Sequence, residues 1–213
     1  MTTLPAAPPQ SGARPRPGAR PQSEARPQSE ARRCTCWPGA TVWLTGLPSA
    51  GKTTIAEELA GRLRREHRRV EVLDGDQIRK FLSADLGFSR DDRNTNVQRI
   101  GMVAEVLARN GVLVLVPVIA PFADSREAVR ERHRGAATPY LEVHVATPVE
   151  VCSVRDVKGL YAKQAAGEIS GLTGIDDPYE APEVPDLRIE SHTQSVRESA
   201  SALYALLTER GLA

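Results

Sequence analysis

Short apolar runs alternate along the chain with segments whose apolar residues recur every three or four positions. The runs predict β-strands at 40–45, 70–73, 112–119, 141–145 and 187–190. The recurring pattern predicts helices at 52–65, 94–110, 124–134, 149–155 and 195–210. The run at 112–119 is nearly unbroken, which is typical of a central parallel strand covered on both faces. Strands separated by helices predict an α/β fold of three layers with a parallel β-sheet.

The first 36 residues follow neither pattern. Pro and Arg are frequent there, and the unit Ala-Arg-Pro-Gln-Ser-Glu occurs twice in succession, at 19–24 and 25–30. Pro blocks helices and strand pairing, and few apolar side chains are present to offset the entropy of ordering. The sequence therefore predicts a disordered tail at 1–36 and one folded domain at 37–213. We expect a chain that starts at Cys36 to keep its melting temperature.

Charge and aromatic content argue against a nucleic-acid partner. The first 36 residues hold six Arg and two Glu, while the remaining residues contain three more acidic than basic side chains. Aromatic residues are only 4% of the chain, too few for a base-stacking platform. The folded domain is therefore not predicted to bind nucleic acid.

Membrane insertion and secretion are not predicted either. No stretch approaches the roughly 20 apolar residues that span a bilayer, and the N-terminus has no apolar signal region. Its arginines are compatible with a transit peptide, but its prolines and two glutamates oppose the amphipathic helix that such a peptide forms. The three cysteines, at 34, 36 and 152, are interpreted as free thiols rather than zinc ligands. These features predict a cytoplasmic protein.

A glycine-rich loop follows the first predicted strand and opens the first predicted helix. Residues 46–53 read Gly-Leu-Pro-Ser-Ala-Gly-Lys-Thr and fit the pattern G-x-x-x-x-G-K-[ST]. Gly46 and Gly51 permit turns that direct backbone N–H groups toward phosphate oxygens. Lys52 places a cation beside the β- and γ-phosphates, and Thr53 offers a hydroxyl to Mg²⁺. The motif predicts an ATP-binding P-loop.

The P-loop alone is compatible with a kinase, a GTPase or an ATP-driven machine. The base-reading pattern Asn-Lys-x-Asp of GTPases is absent, and the chain is too short to carry motor domains. A kinase acting on a small molecule is the simplest interpretation.

A second polar group ends the second predicted strand. Asp74 and Asp76 flank Gly75, and Arg79 lies one helical turn beyond Asp76. Ligands of open α/β sheets bind at the carboxyl ends of strands, so these side chains are candidates for metal and acceptor contacts. Asp76 is also a candidate N-cap for a helix from Gln77, which does not exclude a catalytic role.

From residue 38 to about 192, the chain resembles the adenylylsulfate kinase family of P-loop kinases. Besides the P-loop, the resemblance rests on ordered blocks at 73–79, 85–93, 96–101, 121–122, 150–156, 158–161 and 173–182. Members phosphorylate the 3′-hydroxyl of adenosine 5′-phosphosulfate (APS) with ATP and Mg²⁺. The resemblance implies the P-loop fold, this reaction in sulfate assimilation, and a mobile lid at about 156–180.

The resemblance also implies the site residues. ATP would contact Gly46, Leu47, Pro48, Ser49, Ala50, Gly51, Lys52, Thr53, Thr54 and Arg155. APS would contact Asp76, Arg79, Phe88, Arg93, Asn96, Ile119, Ala120, Pro121, Lys158, Gly159, Leu160 and Leu172. Lys52, Asp74 and Asp76 would be catalytic, and Thr53 and Asp76 would hold Mg²⁺. Phe88 would stack on the adenine of APS, and Arg79 and Arg93 would bind its anionic groups.

Two positions depart from the family. Ala120 occupies a place where members often carry a serine that can be phosphorylated, so no phosphoserine forms here. Direct in-line transfer needs no such intermediate. Leu172 stands where members carry a phenylalanine that stacks on the second adenine face. Leucine loses that stacking, worth about 1 kcal/mol.

Two alternatives stay open from the sequence. One is a P-loop kinase of a related nucleotide or small metabolite. The other is a nucleotide-binding subunit without catalysis, docked to a sulfate adenylyltransferase. Lys52, Thr53, Asp74, Asp76 and Arg93 are all present, which argues against the second. The resemblance further implies a homodimer.

Overall fold

The computed structural model describes Thr3 and residues 37–213. Apart from Thr3, the predicted tail at 1–36 lies outside the described residues. The strands are β1 Ala40–Thr45, β2 Val70–Val72, β3 Leu113–Pro117, β4 Tyr140–Val145 and β5 Leu187–Ile189. The helices are α1 Lys52–Arg65, α2 Gly75–Phe81, α3 Arg90–Arg109, α4 Ala123–Gly135, α5 Val149–Arg155, α6 Leu160–Ala165 and α7 Val196–Glu209.

The five strands form one parallel sheet in the order β2-β3-β1-β4-β5. Alternation along β1 divides the core between its two faces. Val42 and Leu44 pack in a cluster with α1 and α7, whereas Trp43 packs with α3 and α4 on the opposite face. The predicted three-layer α/β fold with a parallel sheet is confirmed.

Two helix starts differ from the prediction. Helix α3 begins at Arg90, four residues earlier than predicted, because Ser89 caps it by accepting a hydrogen bond from the Asp92 amide at 3.1 Å. The first turn of α3 is polar, so it adds nothing to the apolar pattern. The suggestion that Asp76 caps a helix from Gln77 is wrong. Helix α2 begins at Gly75, and its N-cap is therefore Asp74.

The segment after α5 contains a helix that the sequence pattern did not predict. The Asp156 carboxylate accepts from the amides of Tyr161 and Ala162, both at 3.0 Å, and so fixes the first turn of α6. Helix α6 has only six residues, too few for a recognisable apolar stripe. The described part of the chain contains no helix that is long and apolar enough to cross a membrane.

Candidate active site

The P-loop connects β1 to α1 at the carboxyl edge of the sheet. A Cβ atom on Gly46 would lie 2.5 Å from the Val145 carbonyl oxygen, so only glycine fits between β1 and β4 here. Gly51 adopts the left-handed region at φ 98° and is the N-cap of α1. This arrangement opens the N-terminus of α1 toward a cavity of about 430 Å³. A helix N-terminus with free N–H groups is a site for phosphate.

Lys52 is the first residue of α1 and is only 8% exposed. Its ammonium donates to the carbonyl oxygens of Gly46, at 2.9 Å, and Leu47, at 2.7 Å. Burial, and then the nearby charge of Lys158, lowers the pKa of Lys52 from 10.5 to about 7. A bound polyphosphate would favour the charged form and raise this pKa again.

We therefore expect ATP binding to take up a proton at alkaline pH. Above pH 7 the free protein holds Lys52 increasingly neutral, so ATP affinity should fall by up to about tenfold per pH unit until the pKa of the complex is reached. Calorimetry at pH 8.5 in two buffers of different ionisation enthalpy measures the proton uptake. Lys52→Arg stays charged and is the control, for which we expect none. Equal uptake in both proteins would contradict this assignment of the proton.

The ends of β4 and β5 hold the P-loop through short polar side chains. The Ala50 carbonyl oxygen accepts from the hydroxyls of Ser191, at 2.7 Å, and Thr147, at 3.0 Å. Arg155 donates to the Ser191 carbonyl oxygen at 2.9 Å. Ser191 and Thr147 were not predicted as site residues. Their position just beyond predicted parallel strands was the signal that could have identified them.

Two oxygen ligands meet at the mouth of the P-loop. The Thr53 hydroxyl donates to one carboxylate oxygen of Asp74 at 2.9 Å, and the other oxygen accepts from the Asp76 and Gln77 amides at 3.0 and 3.2 Å. Among the described residues no three His, Cys, Asp or Glu side chains form a metal cluster. Mg²⁺ bound by one or two protein oxygens together with substrate phosphates fits this arrangement.

Asp76 points to a different neighbour. Its carboxylate forms an ion pair with Lys158, in the segment between α5 and α6. Asp74, rather than Asp76, is the carboxylate beside Thr53. Thr53 and Asp74 are therefore the pair of oxygen ligands that lie together in this structure, while the predicted pair of Thr53 and Asp76 stays a prediction.

An exposed aromatic ring lies between two arginines on the far side of the cavity. Phe88 is 65% exposed, and the guanidinium groups of Arg79 and Arg93 lie 4.3 and 5.6 Å from the centre of its ring. Burial, and then the nearby charge of Arg93, lowers the pKa of Arg79. This combination suits a ligand with a flat ring and anionic groups.

Arg93 also holds residues 171–180, which we call the clamp segment. The guanidinium donates to the Gly171 carbonyl at 2.6 Å, the Thr173 hydroxyl at 3.1 Å and the Asp177 carboxylate at 3.0 Å. Its Nε donates to the Phe88 carbonyl at 2.8 Å. Arg93 is thus a buried junction between the start of α3 and the clamp segment, not the solvated charge that its sequence neighbours Asp91 and Asp92 suggest.

Residues 119–121, which we call the acceptor wall, close the cavity beyond β3. Ala120 has φ 43°, in the left-handed region that favours glycine, at a cost of about 1–2 kcal/mol for a residue with a Cβ. Asn96 lines the same cavity, and its side-chain oxygen is buried with no hydrogen-bond partner among the described residues. A ligand group is a natural partner for the Asn96 amide.

Most of the predicted site residues line this one cavity. They are Pro48, Ser49, Ala50, Gly51, Lys52, Thr53, Thr54, Asp74, Asp76, Arg79, Phe88, Arg93, Asn96, Ile119, Ala120, Pro121, Arg155, Lys158 and Leu160. Gly46, Leu47, Gly159 and Leu172 are not among its lining residues.

Leu172 is buried in the core of this structure, so its contact with the adenine stays a prediction. Leu172 is 6% exposed and belongs to the main core cluster, together with Tyr161. A tight turn directs it inward, since its carbonyl oxygen accepts from the Ile175 and Asp177 amides at 3.0 and 3.2 Å. An apolar side chain gains more from this burial than from covering a ring at the surface. In this structure Leu172→Phe would overpack the core rather than restore a stacking partner.

A P-loop at the carboxyl edge of a parallel sheet, with a carboxylate on its threonine and two arginines in the same cavity, is the arrangement of a P-loop kinase. Residues 38–190 match the family model described as adenylylsulphate kinase. The chain belongs to the adenylylsulphate kinase family.

Individual relatives agree with this assignment. An adenylyl-sulfate kinase from Rippkaea orientalis is 49% identical over 173 residues, covering 81% of this chain and 93% of that protein. The structure of a Mycobacterium tuberculosis APS kinase in complex with AMPPNP and APS superposes with a TM-score of 0.78 at 46% identity, covering 80% of this chain and 98% of the other. A hexameric APS kinase from Thiobacillus denitrificans has a TM-score of 0.63 at 32% identity, covering 83% of this chain and 30% of the other.

Proposed function

We propose that this chain transfers the γ-phosphoryl group of ATP to the 3′-hydroxyl of APS, giving ADP and 3′-phosphoadenosine 5′-phosphosulfate. One observation carries the proposal. The P-loop shares a single cavity with an exposed ring, Phe88, set between Arg79 and Arg93. The solved relative named for its complex with APS has the same fold at 46% identity, which supports APS as the acceptor.

The ATP half of the cavity positions the phosphoryl group and neutralises its charge. The P-loop amides and Lys52 would bind the β- and γ-phosphates. Arg155, which lines the same cavity, would contact the nucleotide. Thr53 and Asp74 would hold Mg²⁺, which supplies positive charge to the phosphate oxygens when bound. Closure of the predicted lid would remove water from around Lys158. Its attraction to the phosphates would then become stronger.

The acceptor half orients the attacking hydroxyl. The adenine of APS stacks on Phe88, and the arginines bind the phosphosulfate. Asp76 accepts the proton of the 3′-hydroxyl as the 3′-oxygen bonds to the γ-phosphorus and the bond to the β-phosphate oxygen breaks. With Ala120 in the acceptor wall, transfer is direct and passes through a ternary complex.

Product analysis tests the position of transfer. After incubation with ATP, Mg²⁺ and APS, phosphorus NMR should show a new monoester on the 3′-oxygen with the sulfate retained. A phosphate on the 2′-oxygen, or loss of sulfate, would contradict the proposed orientation of the acceptor.

Phe88→Ala should weaken APS without disturbing ATP. An aromatic pair is worth about 0.5–1.5 kcal/mol beyond burial, so the KM for APS should rise by up to about tenfold. Because Phe88 is exposed, the melting temperature should be unchanged. Phe81→Ala is the matched control, since Phe81 is also exposed, at 87%, and is not among the cavity-lining residues. Equal KM values for APS in the two variants would refute stacking on Phe88.

Three further features follow from the family resemblance and stay predictions. They are a homodimer, closure of a lid at about 156–180, and docking to a sulfate adenylyltransferase. The hexameric relative from Thiobacillus denitrificans shows that assembly occurs in a protein of this family, without fixing its form here. A cytoplasmic location suits an enzyme that consumes ATP.

A further inference from the structure

A buried arginine outside the cavity joins two elements that shape its acceptor half. Arg126, on α4, is 3% exposed. One guanidinium nitrogen donates to the Ala120 carbonyl oxygen at 2.8 Å, and the other donates to the Glu180 carbonyl oxygen at 2.7 Å. Ala120 belongs to the acceptor wall and Glu180 to the clamp segment. Arg126 therefore links these two segments through their backbones.

The Arg126 guanidinium is itself held in place. Its Nε donates to one oxygen of Glu142 at 2.7 Å, and Glu142 is buried on β4. The second oxygen of Glu142 accepts from Arg130 at 2.7 Å. Arg130 touches neither the acceptor wall nor the clamp segment through a hydrogen bond, so the two arginines share a carboxylate but differ in what else they bind.

Further bonds connect the same two segments. The Glu180 amide donates to the Pro121 carbonyl oxygen at 2.8 Å. Thr45, at the end of β1, donates to the Ile119 carbonyl oxygen and lies 3.1 Å from the Tyr179 hydroxyl. These bonds hold the Ala120 backbone in its left-handed conformation.

The link continues to the acceptor arginine. Asp177, three residues before Glu180, forms the ion pair with Arg93. A change in the position of the clamp segment therefore moves the partners of Arg93, while a change in the acceptor wall moves part of the lining of the cavity that also contains Phe88. The clamp segment approaches the P-loop where Gly174 packs on the Leu47 side chain, but neither segment contacts Lys52 or Thr53 through a side-chain hydrogen bond.

We infer that Arg126 is a positioning residue for the acceptor: it fixes the acceptor wall against the clamp segment and thereby sets the APS half of the cavity but not the ATP half. The identity of the substrate in this inference rests on the proposed function. The positioning role rests on the hydrogen bonds of Arg126. Lysine at this position keeps the charge beside Glu142 but cannot reach three acceptors at once, because only the planar guanidinium has that fork geometry.

Arg126→Lys and Arg130→Lys form a matched pair. Hydrogen exchange without substrates measures the link directly. In Arg126→Lys, amides in peptides covering 119–124 and 171–180 should exchange at least about tenfold faster than in the wild type, while Arg130→Lys should match the wild type. The KM for APS should rise about tenfold in Arg126→Lys, with the KM for ATP within about twofold of the wild type.

The outcomes separate the inference from the proposed function. A wild type that does not use APS would refute the proposed function, and the exchange comparison would still decide the role of Arg126. Equal exchange in the two lysine variants overturns the inference, as does an equal rise of both KM values.

If Arg126→Lys does not fold, Thr45→Val replaces it, with Thr45→Ser as control. A higher KM for APS in Thr45→Val alone supports the inference, and equal values in the two variants overturn it.

Discussion

Lys52→Ala should lower kcat by at least about 10²–10³-fold while the fold stays intact. In the proposed function Lys52 is the cation for the β- and γ-phosphates, and no other lysine is buried in the described part of the chain. Alanine removes a charge that burial disfavours, which offsets the loss of the ammonium donor to the Gly46 and Leu47 carbonyl oxygens, so the melting temperature should change little.

The measurement is kcat at saturating ATP and APS, together with a thermal melt. Lys80→Ala is the matched control, because Lys80 is exposed on α2 and is not among the cavity-lining residues. A Lys52→Ala protein that turns over at nearly the wild-type rate would contradict the assignment of phosphoryl transfer to this P-loop.

Asp76→Asn should lower kcat by about 10²–10⁴-fold, the range for loss of a positioned proton acceptor. The side chain is exposed, and asparagine keeps its shape, so folding should be unaffected. The KM for ATP should change little, because Thr53 contacts Asp74 and not Asp76.

Asp91→Asn, on the exposed start of α3, is the control and should be as active as the wild type. If Asp74→Asn raised the Mg²⁺ requirement while Asp76→Asn left kcat unchanged, the proton acceptor would have to be sought elsewhere in the cavity.

The sequence predicted the fold and the place of the P-loop between β1 and α1 well, because both depend on local patterns. Apolar runs of the right length predict buried strands, and the P-loop pattern fixes Gly46, Gly51, Lys52 and Thr53 within eight consecutive residues. The spacing of residues is sufficient to predict a phosphate-binding motif that lies within one loop.

The acceptor half depends on contacts between distant residues, which no local pattern contains. Arg93 bonds to residues about 80 positions away, and Arg126 to Glu180, 54 positions away. Leu172 was assigned to the adenine by resemblance, but a turn stabilised by backbone bonds directs it into the core. The surroundings of the two aspartates also depend on distant residues, since only the structure shows that Asp74 meets Thr53 while Asp76 meets Lys158.

The most direct test of the account is the initial rate of ADP release from ATP and Mg²⁺, with and without APS. We expect release to depend on APS and to be negligible when APS is replaced by adenosine 5′-monophosphate, which lacks the sulfate that the arginines bind. The Lys52→Ala protein in the same assay sets the background. ADP release at the same rate with and without APS, or none above that background in either case, would contradict the central claim that this cavity transfers phosphate to APS.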